Sequence, residues 1–356
     1  MASHRRPKQP SRARISVLTA AAATAVAISA QAGTASAAPK PTKESVKAQV
    51  DKLNEQAEVA TEQYNGAKEK QQQLQKQVNN IQDQVARQQS EVSAMQGTLG
   101  QLASSQYRSG GIDPTVQLML SSDPAQFLDK ASSLDQVSSQ QADTLKQLQQ
   151  KQRKLDQDKA EAQQKLAELD RTAKELKSAK SEVQQKLSKA QSLLNTLTAQ
   201  ERAALRAAEA ASAERASRAA PRAGLDTSTG SGSASTVGAS SYAAAAIAAA
   251  ETRLGSPYVY GATGPSTFDC SGLMLWAYQQ AGITLPRTSQ AQAGAGTSMG
   301  TSLANAKPGD LIIYYSGMSH VGMYVGNGQI IHAPHTGAVV RYESATVMPI
   351  AKIVRI

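Results

Sequence analysis

The sequence predicts an α+β protein in which a long antiparallel coiled-coil hairpin precedes a separate domain of helices and strands. Between residues 42 and 219 the chain is rich in Gln and Lys and poor in aromatic residues, yet apolar residues recur at steps of three and four. After Ser241 the character changes, because 10 of the 13 aromatic residues, including Trp276, fall in the last 116 residues. That length is enough for an independent hydrophobic core.

Residues 1–37 have the layout of a cleaved secretory signal peptide. Five basic residues lie between Arg5 and Arg14, an Ala-rich apolar run extends to Ala30, and small residues follow up to Ala37. The run falls short of the roughly 20 strongly apolar residues that span a bilayer, which favours cleavage over a membrane anchor. Arg5 is followed by Arg6, so the export route stays open between Sec and twin-arginine. We expect a secreted protein.

The formal net charge of +10 does not indicate a nucleic-acid-binding protein. Residues 1–37 contain five basic and no acidic residues, residues 38–240 contain 27 against 24, and residues 241–356 contain six against four. Half of the excess therefore lies in the predicted signal peptide. The remainder is too small and too dispersed for a nucleic-acid interface.

Two heptad seams predict the arms of a hairpin over residues 42–219. The first comprises Leu74, Val78, Ile81, Val85, Val92, Met95, Leu99 and Leu102, and the second comprises Leu145, Leu148, Leu155, Ala162, Leu166, Leu169, Ala173, Leu176, Val183, Leu187, Ala190, Leu194 and Leu197. Glycines and prolines at positions 110, 111, 114 and 124 interrupt any continuous helix, so the chain reverses there.

The predicted tip, near residues 109–128, is more apolar than a solvated turn requires. Its apolar side chains are Val116, Leu118, Met119, Leu120, Phe127 and Leu128. They either close the end of the hairpin or form a docking surface. Beyond the hairpin, residues 220–240 are rich in Gly and Ser without an apolar period, which predicts a flexible linker. The final domain then spans 241–356.

Cys270 is the single cysteine of the chain, so it has no disulfide partner within it. It precedes an apolar run that reads as a helix ending at Gly282, with Asp269 as a suitable N-cap. In the first turn of a helix, free N–H groups and the helix dipole favour a thiolate. A buried and inert thiol is the structural alternative.

Three of the four histidines lie between residues 320 and 335. His320 opens one strand-like run and His332 ends the next, whereas His335 lies in a turn after Pro334. A cysteine followed by histidines on separate elements is typical of a nucleophile, its base and a residue that orients the base.

The segment from Ser241 to Ile356 resembles the NlpC/P-sixty family of papain-like cell-wall endopeptidases. The resemblance rests on blocks in the family's order, at Gly255–Gly261, Asp269–Leu273, Leu285–Ser289, Pro308–Leu311, His320–Gly328 and His332–Pro334. It implies a papain-like domain in which helices pack on an antiparallel sheet. Tyr260 departs from the pattern, because many members carry Trp there, and this puts the shape of the groove in doubt.

The resemblance also implies the chemistry. Cys270 would be the nucleophile, His320 the general base and His332 the orienting residue, with Tyr258, Asp269 and Ser271 contacting substrate. The reaction implied is hydrolysis of the D-glutamyl to diaminoacid bond in peptidoglycan stems through a thioacyl-enzyme, without metal or cofactor. The protein would be extracellular or associated with the cell wall, with peptidoglycan as its partner.

The coiled coil resembles the helical N-terminal regions of secreted wall hydrolases that stay inactive until the FtsE/FtsX division complex, or a similar membrane partner, engages them. The likeness rests on architecture and on the segment 120–128, and it implies a regulatory hairpin. Because the predicted linker is flexible, we also expect the hairpin to fold back over the groove. The alternative function is a non-enzymatic wall-binding or division scaffold. A further alternative keeps the thiol chemistry but makes the enzyme an amidase or a transpeptidase.

His320 and His332 can cooperate only if they share a face of neighbouring strands. A two-residue Asn327-Gly328 turn with unbroken pairing places His332 on the wrong face. We therefore predict a three-residue loop, residues 326–328, with a bulge and with Gly328 at positive φ, which pairs Gly322 with His332.

Overall fold

The structure is a computed structural model that describes residues 42–108, 116, 124–220 and 241–356. The predicted signal peptide, nearly all of the predicted linker, and residues 109–115 and 117–123 of the predicted tip lie outside the described residues. Residues Thr42–Ile356 belong to one unit. No helix within the described ranges combines the length and apolarity needed to cross a bilayer.

Two long helices, α1 (Lys43–Arg108) and α2 (Pro124–Asn195), form the antiparallel hairpin that the heptad seams predict. Cross-helix contacts establish the direction, because the residue number on α2 falls as that on α1 rises. The contacts pair Gln56 with Lys186 at 2.9 Å, Lys70 with Glu168 at 3.2 Å and Glu91 with Lys151 at 2.5 Å. The helical hairpin is thus confirmed.

The predicted seam is buried unevenly along the hairpin. Leu74, Val78, Val92, Leu155 and Val183 are buried, whereas Leu102, Leu145 and Leu166 are exposed. A polar cluster interrupts the apolar packing, because the buried carboxylate of Asp158 accepts hydrogen bonds from Gln84 at 2.6 Å, Gln88 at 2.8 Å and Lys154 at 2.5 Å. A buried polar group with cross-helix partners favours one register of the two helices.

A third helix, α3 (Ala199–Ala219), follows a break at residues 196–198 that the heptad pattern did not reveal. Thr198 and Glu201 form a reciprocal capping box that starts the helix. Leu205 packs at the base of the hairpin, while Ala216 joins the hydrophobic core of the C-terminal domain. Helix α3 therefore bridges the hairpin and that domain.

The C-terminal domain is an antiparallel sheet covered by helices, as the α+β prediction requires. Its helices are α4 (Ser241–Glu251), α5 (Cys270–Gln280) and α6 (Ser289–Gln292), with a short 3-10 helix at Leu303–Asn305. The strands are β1 (Thr297–Ser298), β2 (Leu311–Tyr314), β3 (His320–Gly326), β4 (Gln329–His332), β5 (Arg341–Ser344) and β6 (Ile350–Arg355). Their order across the sheet is β1-β6-β2-β3-β4-β5.

Side-chain alternation divides the sheet into two apolar faces. Leu311, Ile313, Val321 and Met323 face the core that contains α4 and α5. Ile312, Tyr314, Ile330 and Ile353 face the opposite side, where Leu303 of the 3-10 helix packs. The central strands are buried on both faces, which fixes the strands that carry the predicted histidines.

The connection between β3 and β4 has the predicted register but not the predicted loop. Gly326 pairs with Gln329 across a two-residue turn in which Asn327 and Gly328 have φ of 52° and 71°, as in a type I′ turn. The three-residue loop is therefore wrong. The bulge instead lies between Tyr324 and Gly326, because the buried apolar faces fix the inner register and the extra residue is absorbed within the strand.

The pairing of β3 with β4 between the bulge and His332 meets the condition for cooperation of the two histidines. Met323 pairs with Ile331, so Gly322 lies opposite His332, and a Cβ at Gly322 would stand 3.2 Å from the Cβ of His332. His332 and His320 thus share one face of the sheet.

We expect Gly328→Ala to lower the free energy of unfolding of the C-terminal domain by about 1 kcal/mol, because an alanine is strained at positive φ. Near-UV circular dichroism during thermal unfolding measures this, since most aromatic residues lie in that domain. Asn327→Gly is the matched control and should be nearly neutral. Equal destabilisation by both variants would contradict the turn assignment.

Candidate active site

Cys270 is the first residue of helix α5 and is almost fully buried, at 1% exposure. Asp269 precedes it as the N-cap, and its Oδ1 accepts a 2.7 Å hydrogen bond from the Gly272 N–H. Gly272 is required here, because a Cβ would lie 2.1 Å from the Ala262 carbonyl oxygen. Capping and close packing thus hold the thiol at the helix start, as the sequence predicts.

The Asp269 carboxylate connects several segments around the thiol. Besides capping α5, it accepts from the Gly261 N–H at 2.9 Å and from both terminal nitrogens of Arg287, at 3.1 and 2.6 Å. It also accepts a 3.0 Å hydrogen bond from Asn65 of α1. Arg287 further donates to Ser271 Oγ at 2.8 Å. Asp269 is therefore a structural centre of the site as well as a candidate substrate contact.

The two predicted histidines form a hydrogen-bonded pair on adjacent strands. His320 Nε2 lies 2.9 Å from His332 Nδ1, and the rings meet edge to face with an interplanar angle of 89°. On the far side, His332 Nε2 lies 3.0 Å from Glu343 Oε2. Burial lowers the pKa of His332 to about 4, although the hydrogen bond to Glu343 acts in the opposite direction.

The thiol lies beside the start of the strand that carries His320. Cys270 Sγ donates weakly to the Ser319 carbonyl at 4.0 Å and to Glu62 Oε1 at 3.7 Å. Tyr258 is buried nearby, and its pKa is raised well above the ordinary value by burial and then by the adjacent charges of Cys270 and Asp269. The structure thus brings together Cys270, His320, His332, Tyr258, Asp269 and Ser271.

A segment of helix α1, residues 58–65 (the plug), covers this site. Glu58 Oε1 lies 3.0 Å from His320 Nδ1 as an ion-pair contact. Glu62 Oε1 accepts from Ser271 Oγ at 2.7 Å, and its Oε2 accepts from the Ser289 N–H at 2.8 Å. Tyr64 packs edge to face on Tyr260, with the ring centroids 5.8 Å apart. The plug therefore lies directly over Cys270, Ser271 and His320.

Sequence reasoning anticipated a hairpin that folds back but named no plug residue. Glu58, Thr61, Glu62 and Asn65 are all buried and recur at i, i+3, i+4 and i+7 along α1. This spacing defines one polar face of a helix, and Ala57 and Ala60 lie beside it without the leucines of the later seam. A polar stripe next to the small seam residues Ala57 and Ala60 was the available signal. His335, the third histidine of the C-terminal domain, contacts Glu209 of α3 at 3.2 Å.

The docked plug disfavours ionisation of the thiol. Burial first, then the carboxylates of Glu62, Asp269 and Glu58, raise the pKa of Cys270 well above its ordinary value. Docking of the plug also raises the pKa of one of its own carboxyl groups, that of Glu62. Burial and the neighbouring Asp269 charge raise the pKa of Glu62 from 4.5 to about 7, against the hydrogen bonds from Ser271 and Ser289.

Docking of the plug should weaken as pH rises from about 4.5 to about 7. An acid whose pKa is raised on docking binds its proton more tightly in the docked state. The contribution of protonated Glu62 to docking is therefore full below pH 4.5 and is lost above pH 7. The Glu62→Gln variant lacks this titration. We expect the ratio of Cys270 alkylation rates, native chain over Glu62→Gln, to rise by up to about ten-fold per pH unit in that window and then level off.

Iodoacetamide labelling of the full chain between pH 4.5 and 8.5 measures this ratio. The ratio cancels ionisation of the thiol in the undocked state, which both chains share. A ratio that does not change with pH would show that Glu62 does not titrate on docking.

Comparison with known proteins places these residues in a family. Residues 255–354 match the model of the NlpC/P60 family. A probable endopeptidase of Corynebacterium glutamicum is 48% identical over 117 residues, covering 33% of this chain and 55% of the relative. The probable endopeptidase p60 of Listeria monocytogenes is 51% identical over 100 residues, covering 28% of this chain and 20% of the relative. The chain thus spans about half, or less, of these curated relatives.

Solved structures of two such domains are similar to about a third of this chain. The NlpC/p60 domain of the peptidoglycan hydrolase SagA is 37% identical, with 32% of this chain and 98% of that chain covered and a TM-score of 0.30. The P60 domain of the antigen MAP1204 of M. avium subspecies paratuberculosis is 30% identical, with 32% and 93% covered and a TM-score of 0.30. The C-terminal part of this chain, over residues 255–354, is thus an NlpC/P60 domain.

Proposed function

We propose that the protein is a secreted cysteine endopeptidase of the bacterial cell wall, which hydrolyses the D-glutamyl to diaminoacid bond of peptidoglycan stem peptides. The observation that carries the proposal is the thiol of Cys270 at the first turn of a helix, 4.0 Å from the carbonyl oxygen of Ser319, which directly precedes the buried His320 that is hydrogen-bonded to His332. Family membership of the domain supports the reaction class.

In this mechanism the Cys270 thiolate attacks the carbonyl carbon of the scissile amide, and His320 holds the proton removed from the thiol. The Cys270 N–H lies in the first turn of α5, where the helix supplies no carbonyl partner, so it is available to the developing oxyanion. The C–N bond breaks as His320 protonates the departing amine. Water then attacks the thioester, which releases the glutamyl carboxylate and regenerates the thiol, while His332 orients His320.

The seating of Glu62 supports an acidic substrate. Its carboxylate is held by the Ser271 hydroxyl and the Ser289 N–H, beside the Arg287 guanidinium. A glutamyl residue of a stem peptide carries the same functional group, so the plug would occupy a position suited to the substrate. Asn65 donates an amide N–H to Asp269, which a donor group of the substrate would replace. Ser271, Asp269 and Tyr258 are the proposed substrate contacts.

Regulation by the coiled coil is the second part of the proposal. Because Glu58, Glu62 and Asn65 contact the residues that would perform the reaction, the docked state is inactive and α1 must leave before substrate enters. The partner that withdraws α1 would act on the hairpin outside the cytoplasm. A membrane-embedded division complex of the FtsE/FtsX type is the proposed partner.

We expect Cys270→Ala and His320→Ala each to abolish hydrolysis of purified peptidoglycan, because one removes the nucleophile and the other its base. Mass spectrometry of the released fragments identifies the bond, and it separates an endopeptidase from an amidase or a transpeptidase. His335→Ala is the matched histidine control and should keep activity within a few-fold. Wall lysis by purified Cys270→Ala protein would overturn the assignment, and a wall-binding scaffold would bind peptidoglycan without releasing fragments.

We expect Glu62→Arg to raise the rate of wall hydrolysis by the full chain about ten-fold or more. The substitution places a second guanidinium beside Arg287 and loses the hydrogen bonds from Ser271 and Ser289, so the plug undocks. Glu69→Arg makes the same charge change at an exposed position on α1 and should leave the rate unchanged. Equal rates for the two variants would contradict regulation by the plug and leave the catalytic assignment standing.

A further inference from the structure

Glu343 extends the histidine pair by one more group on the next strand. Strand β5 pairs with β4 so that Arg341 lies opposite His332 and Glu343 opposite Ile330. Residues 341 and 343 therefore share the face of the sheet that carries His332. Glu343 is buried, at 8% exposure, and its Oε2 lies 3.0 Å from His332 Nε2. The chain His320, His332, Glu343 is thus continuous across three neighbouring strands.

The carboxylate dictates which ring nitrogens carry protons. An ionised carboxylate only accepts hydrogen bonds, so the proton between Glu343 and His332 must lie on His332 Nε2. A neutral His332 then has a bare Nδ1, which accepts from His320 Nε2. The remaining nitrogen of His320, Nδ1, faces the plug, where Glu58 Oε1 lies 3.0 Å away, so its lone pair becomes available only when the plug leaves. A general base needs its lone pair on that side.

Arg341 keeps Glu343 ionised and fixes its orientation. Its Nε and Nη2 donate to Glu343 Oε2 at 3.1 and 3.0 Å. Burial alone would raise the pKa of Glu343, but the contacts with His332 and Arg341 outweigh it and lower the pKa to about 2. The titratable and charged groups around the pair are Glu58 of α1, Cys270 of α5, Tyr314 of β2, Arg341 and Glu343 of β5 and, through Arg341, Glu209 of α3.

We propose that Glu343 is a positioning residue of the reaction, which fixes the proton on Nε2 of both His332 and His320 and thereby leaves His320 Nδ1 free to act as the base once the plug, and with it Glu58, has left the site. The role in catalysis rests on the proposed function, whereas the proton arrangement does not. Glu343 touches no reacting atom, since it acts through His332.

The isosteric Glu343→Gln variant tests this directly. A glutamine amide can donate to His332 Nε2, which a carboxylate cannot, and donation moves the ring proton to Nδ1. His332 Nδ1–H would then donate to His320 Nε2 and leave the His320 proton on Nδ1. Nitrogen-15 chemical shifts of labelled histidines in the full chain distinguish the two tautomers. His4→Gln and His335→Gln variants assign the other two rings.

We expect His332 to be protonated on Nε2 in the native chain and in Glu343→Asp, which retains an acceptor, and on Nδ1 in a substantial fraction of Glu343→Gln. For wall hydrolysis we expect Glu343→Gln to lower kcat about 10- to 100-fold with little change in KM, and Glu343→Asp to recover part of that loss.

Two outcomes overturn the proposal. One is a Glu343→Gln chain in which His332 stays protonated on Nε2, whatever its activity. The other is the changed tautomer with kcat unaltered. If Glu343→Gln unfolds because Arg341 loses its partner, the double variant with Arg341→Met removes that charge and gives the same readout. A Glu62→Arg chain, in which the plug is undocked, that hydrolyses no substrate would instead refute the proposed function, and the nitrogen shifts would still decide the tautomers.

Discussion

One carboxylate, that of Asp269, determines how the segments around the thiol come together. Its donors arrive from the loop at Gly261, from the first turn of α5, from Arg287 ahead of α6 and from Asn65 of α1. A buried carboxylate with four kinds of donor is fully satisfied, and removing one partner would leave charge exposed to an apolar interior. The position of Cys270, the shape of the groove and the docking of the hairpin therefore depend on the same group.

The docked hairpin acts on the site through charge as well as through coverage. It adds two carboxylates, those of Glu58 and Glu62, to a buried region that already contains Asp269, with Arg287 as the nearby cation. Negative charge and low dielectric both disfavour a thiolate. Departure of α1 would remove two of the three carboxylates and admit water, so accessibility and nucleophilicity of the thiol increase together.

The sequence was most informative where a single periodicity determines structure. The heptad seams predicted both arms of the hairpin, and alternation together with a predicted bulge between residues 320 and 332 placed the two histidines on one face. The predicted three-residue loop at 326–328 was wrong, because a two-residue turn combined with a bulge within the strand produces the same register. It did not reveal that Glu343 meets His332, since the two are 11 residues apart and only the pairing of β4 with β5 joins them.

The plug was harder to predict for a different reason. Glutamates on a Gln- and Lys-rich helix ordinarily face solvent, and their burial here depends on a surface that lies more than 200 residues away in the chain. The local sequence shows the polar stripe at Glu58, Glu62 and Asn65 but not the partner that covers it. Long-range docking of this kind follows from three-dimensional complementarity rather than from periodicity.

The length of α1 has a mechanical consequence. From Asn65 to its end at Arg108 the helix continues for about 65 Å at 1.5 Å per residue, so a force applied at the far end reaches the site through a stiff rod. Each residue advances the helix by about 100°, and the plug side chains occupy one narrow face. A modest rotation of α1 about its own axis would turn the carboxylates away from the thiol without any shift along the axis.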